Sequence, residues 1–178
     1  MKQILTPLLL VLFSMTAKAQ TPCSLSELSP TLTNGLQLFY PFCGNASDLG
    51  PGGSDASIIG AIPSEDRFAN PSSAFSFDGS SAYLDAGDVP QILDHDSLTI
   101  NFWIKHTTHP KYEADVVLGN LGTSGGCAYQ CFISNAQNKM VFEYRFSTSS
   151  SVGHNLVSNT EVPENVWTLY TMTYAWSG

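Results

Sequence analysis

Asn45, Asp48 and Asp55 fall in the stretch 44–55, among glycines whose freedom lets backbone carbonyls turn inward. Converging oxygens from carboxylates, amides and carbonyls are what a hard cation such as calcium requires. The stretch lacks the Asp-x-Asp-x-Asp-Gly spacing of a self-contained calcium loop, so a site there must borrow ligands from elsewhere. Asp78 and Asp85 are available donors, and the expected calcium set is Asn45, Asp48, Asp55 and Asp78. Asp78 has a competing task. It sits in "SAFSFDGSSAYLDAG", residues 73–87, between two runs with strand character. Asp-Gly pairs tolerate the backbone angles of tight turns, so Asp78 is expected first of all to turn a hairpin.

Other groupings promise less chemistry. Asp94 and Asp96 flank His95 in a segment that reads as solvated loop, and His106 and His109 are followed by Pro110, which argues against a helix presenting both as metal ligands. A glycosidase site would need paired carboxylates facing one another across the scissile bond. Glu161 and Glu164 are three apart around Pro163, which puts them on opposite faces of any strand. Glu143 is the only acid within 139–146. With neither a nucleophile elbow nor a phosphate-cradling loop present, a non-enzymatic protein is expected. For binding, Tyr112, Tyr129 and Trp176 lie in loops or near their ends and are the candidate ligand-contacting aromatics. Trp103 would be a stacking platform if its strand face were open. Large aromatics in sandwich strands more often pack, and packing is expected here.

The elements that must position these residues are strands. Runs at 36–42, 56–62, 74–77 and 82–86 precede the clearest one, 97–105, whose Leu98, Ile100, Phe102 and Ile104 share a face. Further strands are expected at 116–118, 129–133, 139–146, 154–158 and 166–174, with 135–138 as a hairpin loop. In the last strand, Trp167, Leu169 and Thr171 face away from Tyr170, Met172 and Tyr174. Only Leu25 and Leu28 suggest a helical turn. Turn signals every 8–15 residues without sustained helical period indicate an all-β sandwich in one domain.

Lys2, the apolar run 4–13 and Ala17-Lys18-Ala19 form a leader expected to be cleaved after Ala19, too short and badly flanked to span a membrane. Removing Lys2 and Lys18 takes seven basic residues to five against fifteen acidic ones, a net charge of −10. That balance argues against nucleic acid and anionic membrane as partners. Four cysteines, Cys23, Cys43, Cys127 and Cys131, suit disulfides in an exported chain. Three connectivities are open; 23–43 with 127–131 is favoured because each pair is local.

The phrases "LFYPFCGNASDLGPGG", "ASIIGA", "DRFANPSSAFSFDGSSAYLDAG", "SLTINFWIK" and "VWTLYTMTY", in that order, resemble the laminin-G-like, concanavalin A-like modules of exported bacterial surface proteins. The resemblance implies a jelly-roll of two antiparallel sheets over 36–178, after a leader at 1–19 and a lead segment at 20–35. It also implies a non-catalytic recognition or adhesion module, secreted or at the cell surface, binding a glycan or surface protein, in some relatives with calcium held by the loop corresponding to 45–55. Cys43 departs from the Asn common at this point in such modules. Relatives continue with further strands after the point matching Gly178, so the domain is expected to lack its final strands. The other readings are a structural or protein-interaction module of a larger surface protein, and the accessory domain of a carbohydrate-active enzyme.

Overall fold

The computed structural model describes residues 22–89, 97–107, 114–120, 129–144 and 154–175. The proposed leader, His109, Tyr112, Cys127, Trp176, Asp94 and Asp96 lie outside them. Among the described residues, ten strands follow a 3-10 turn at Leu25–Glu27 and a helical turn at Pro30–Thr33 whose cap, Ser29, accepts a hydrogen bond from Thr31 N–H. They are β1 (Ser57–Ile59), β2 (Ile62–Ser64), β3 (Ala74–Ser76), β4 (Tyr83–Asp85), β5 (Ser97–Lys105), β6 (Ala114–Asn120), β7 (Tyr129–Ser134), β8 (Lys139–Tyr144), β9 (His154–Val157) and β10 (Trp167–Ala175). Every strand pairing is antiparallel.

One layer is the four-stranded sheet β6-β7-β8-β9, and the other contains the pair β5–β10. The alternation of side chains along a strand decides what lies between them. Tyr129, Cys131 and Ile133 of β7 stand opposite Tyr144, Phe142 and Met140 of β8, and all six are buried. Ile100, Phe102 and Ile104 of β5, with Tyr170, Met172 and Tyr174 of β10, close over them. The Tyr144 and Tyr174 rings stack across the layers with centroids 4.6 Å apart. In β6, a bulge between Val116 and Leu118 lets the consecutive residues Val117 and Leu118 both reach the core.

The expected 135–138 hairpin is present, with Ser134 opposite Lys139 and Asn138 in the left-handed region at φ 49°. Its loop is tied to the chain before β10, because Val162 N–H donates to the Asn138 carbonyl and Asn138 Nδ2 donates to that of Val162. Cys23 and Cys43 are disulfide-bonded, with Cα atoms 5.9 Å apart across a sequence separation of 20. On the loop-entropy model such a bridge contributes about 3 kcal/mol. The second expected bridge, 127–131, is not made. Cys131 is a free thiol with no solvent exposure, because its position on β7 points it into the core against Met172 Sδ at 3.5 Å. Burial pushes that thiol up to about 12, so it stays protonated and unreactive at neutral pH.

Two further expectations are corrected. Residues 36–42 belong to no ladder, and Phe42 is in the left-handed region at φ 57°; their backbone groups bond instead to the loop that follows, where Phe39 and Gln37 carbonyls accept from Leu49 and Gly52 N–H. The two runs around Asp78 do not form a hairpin with each other either. β3 pairs with β2 and β4 with β1, so 57–64 runs antiparallel to 74–85 as one interrupted ladder. Chain reversal happens between β2 and β3. Residues 77–82 form an excursion opposite only residues 60 and 61, and Gly60 adopts φ +67° beside Ala82.

Asp78 builds that excursion. One carboxylate oxygen accepts the N–H groups of Ser80, Ser81 and Ala82, each at 2.9 Å, and the other accepts the Ser81 hydroxyl at 2.8 Å. Ser81 N–H, followed by those of Ser80 and Ala82, holds the carboxyl well below the usual carboxylate range. A depressed pKa contributes stability at pH above about 4 that is lost as pH falls further. In low-salt buffer, the chemical-denaturation midpoint is expected to fall less steeply in Asp78→Asn than in wild type between about pH 5 and pH 2. Parallel pH profiles for the two proteins would show that these bonds contribute nothing to folding.

Candidate functional site

The acidic loop expected to hold calcium is organised by Asp48, which is 8% exposed. Its Oδ1 accepts Phe39 N–H at 2.7 Å and Gly50 N–H at 2.8 Å, and its Oδ2 accepts Ser54 N–H at 3.0 Å. Asp48 N–H donates to Asp55 Oδ1, and Asn45 Oδ1 accepts Ser47 N–H. The Tyr40 hydroxyl donates to the Ser54 carbonyl; burial, with the nearby Asp48 and Asp55 charges, raises its pKa. The chain comes so close here that a Cβ on Gly50 would lie 2.6 Å from the Gln37 carbonyl oxygen. The loop therefore gathers Asn45, Asp48 and Asp55 but engages each of them with backbone N–H groups, while Asp78 serves its own excursion. Among the described residues, no three His, Cys, Asp or Glu side chains converge on a metal-sized space. These four residues do not form a joint coordination shell.

His106 is partnered at one ring nitrogen only, its Nδ1 being buried without a hydrogen-bond partner. It is buried at the end of β5, and its Nε2 lies 2.8 Å from Asp115 Oδ2 on β6. Glu143 accepts from Gln130 Nε2 across β7–β8. Tyr129, expected as a surface aromatic, is only 7% exposed and belongs to the core, because its parity on β7 turns it inward; burial pushes its hydroxyl up to about 12.

Trp103 corrects the opposite expectation. The odd-numbered residues of β5 face outward, and Trp103 is 42% exposed. The register sets the rest of this outer face in rows: Thr99 beside Thr173, Asn101 beside Thr171, Trp103 beside Leu169, and Lys105 beside Trp167. The first two rows are hydrogen-bonded, Thr99 and Thr173 hydroxyls at 3.2 Å and Asn101 Nδ2 to Thr171 Oγ1 at 2.7 Å. Lys105 Nζ lies 5.6 Å from the Trp167 ring centroid. From Thr99 to Lys105 the face runs about 20 Å, polar at one end and aromatic and cationic at the other.

A turn from a distant part of the sequence completes it. Between β2 and β3, the buried Asp66 accepts Phe68 N–H at 2.8 Å and Asn70 N–H at 2.9 Å on one oxygen, and Asn70 Nδ2 at 3.0 Å on the other. This compact turn, with Ala69 at φ 60°, delivers Arg67 to the sheet. Its guanidinium carbon lies 4.2 Å from the Phe68 ring centroid and 4.7 Å from that of Trp103. Parity in the two long strands brings Trp103, Lys105, Trp167 and Leu169 to one face; nothing in the local sequence announces that Arg67 would join them.

The loop chemistry yields two expected outcomes. Replacing Asp48 by Ala leaves three N–H groups without their acceptor and is expected to lower the unfolding free energy by about 3 kcal/mol or more, with Asp48→Asn less damaging; urea titration measures this. Thermal melts in calcium and in chelator are expected to superimpose, and a melt raised by calcium would show that the loop binds the ion after all.

No curated protein and no solved structure matches the chain. A family model does, over residues 78–178, which include all of β5–β10 and its outer rows. With more than half of its residues matched, and with antiparallel layers packed as described, the chain belongs to the concanavalin A-like lectin/glucanases superfamily.

Proposed function

We propose that this protein is an exported, non-catalytic recognition module that binds carbohydrate on the outer face of β5–β10. The observation carrying the reading is the exposed Trp103, set beside rows of Thr and Asn side chains on a rigid antiparallel pair. Aromatic side chains offer apolar area at low entropic cost, and hydroxyl and amide groups exchange hydrogen bonds with sugar hydroxyls. Family membership supports a carbohydrate-binding or interaction role. The Cys23–Cys43 disulfide is typical of extracellular domains and supports export, as does the leader-like sequence at 1–19. Among the described residues no helix is long and apolar enough to cross a membrane.

A protein ligand is the second reading. β9 pairs with β8 alone among the described strands, and its Leu156 and Val157 are 55% and 47% exposed. Apolar side chains on a sheet edge suit the addition of a partner's strand.

Titration of the purified protein with a panel of oligosaccharides tests the first reading. At least one sugar is expected to bind, and Trp103→Ala to weaken it by about tenfold or more, ~1.4 kcal/mol, with little change in melting temperature. Binding that is indifferent to Trp103→Ala would place the sugar elsewhere. Recovery of a protein partner independent of sugar would favour the edge of β9.

A further inference from the structure

We propose that the outer face of β5–β10 selects acidic polysaccharides, recognising uronate carboxylates or sulfate esters through Arg67 and Lys105. This rests on the carbohydrate reading above and specifies its ligand. The chain carries seven Lys and Arg against fifteen Asp and Glu. Two of those few cations occupy this one face, each against a tryptophan ring. Among the described residues, neither Arg67 nor Lys105 has a carboxylate within ion-pair distance.

Arg67 is the informative residue. Its neighbour Asp66 is buried and accepts Phe68, Asn70 and the Asn70 side chain, so the acid closest in sequence builds the turn. Contact with the Phe68 and Trp103 rings orients the guanidinium through cation–π attraction, but a ring face takes up charge without satisfying the five N–H donors. The planar fork that remains matches a carboxylate or sulfate in bidentate fashion. Because the guanidinium lies against Trp103, a sugar arriving at this ring meets a cation first. The row holding Lys105 is two residues further along β5, about 7 Å away. A polysaccharide bearing an anion on successive sugars can therefore engage both, with Asn101 and Thr171 next in line for hydroxyls.

The charge of the whole molecule sharpens the selection. A net charge of −8 repels polyanions in general, so attachment depends on the local geometry and not on a diffuse basic surface. Nucleic acid, with its dense phosphate backbone, is disfavoured by the same field.

The test compares four probes by calorimetric titration at low and moderate salt: oligogalacturonate, its methyl ester, a sulfated galactan and the same galactan without sulfate. Expected is binding to the carboxylate or the sulfate probe at least tenfold tighter than to its neutral counterpart, weakening as salt rises; which of the two binds identifies the anion. Arg67→Gln is expected to reduce that binding tenfold or more with the melting temperature unchanged, narrowing the gap between each charged probe and its neutral counterpart. Lys105→Gln, at an exposed position of β5, provides the second variant should Arg67→Gln disturb its turn. Equal affinity for charged and neutral probes would overturn the acidic selection and leave carbohydrate recognition standing. Failure of all four, together with failure of the wider oligosaccharide panel, would overturn both.

Discussion

Nine consecutive residue pairs hold β5 against β10, and this register decides which side chains meet the core and which meet solvent. Ile100, Phe102, Ile104, Tyr170, Met172 and Tyr174 must face the buried surface of β7 and β8. Because the side-chain period of a strand is two, the same requirement turns Thr99, Asn101, Trp103, Lys105, Trp167 and Leu169 outward together. A slip of one residue would bury a lysine and an asparagine and expose the apolar set. The free energy of the core thus sets the composition of the outer face, which needs no interaction of its own to be assembled.

Around this rigid pair, carboxylates take the place of regular pairing. Asp48, Asp66 and Asp78 each accept several N–H groups from a short stretch of irregular chain. An ionised carboxylate accepts through two oxygens and makes stronger bonds with amides than a neutral group does. Three acids of this acidic chain are therefore structural, and the one at Asp66 has an effect at a distance. By fixing its turn it sets the neighbouring Arg67 against Trp103.

The sequence was most informative where one physical pattern dominated. Strict alternation over 97–105 and 166–174 located both long strands and their two faces, and local turn chemistry located the 135–138 loop. Alternation distinguishes faces but does not say which is covered, so the sequence alone points to packing for Trp103 and to the surface for Tyr129; their actual depths are set by the opposing layer. Partners across long separations were equally hidden. The runs flanking Asp78 have strand character, yet β1 and β2 compete for them and win. The same Asp-x-Gly composition serves a cation site or an N–H-lined loop, and only the direction of the backbone amides separates them. Cys131 illustrates the limit of counting: an even number of cysteines favours pairing, but a thiol on the core face of β7 is removed from any surface partner.

The interrupted ladder of β1–β4 and β2–β3 has an evolutionary consequence. Each half is held in register by its own pairing, so the excursion at 77–82 separates two independently fixed segments. Lengthening a surface excursion costs little loop entropy, growing only with the logarithm of its length. Insertions at this point can accumulate without shifting a single pair on either side, provided Asp78 keeps its amides. The segment is thus a natural port where descendants of this domain can graft new surface onto an unchanged frame.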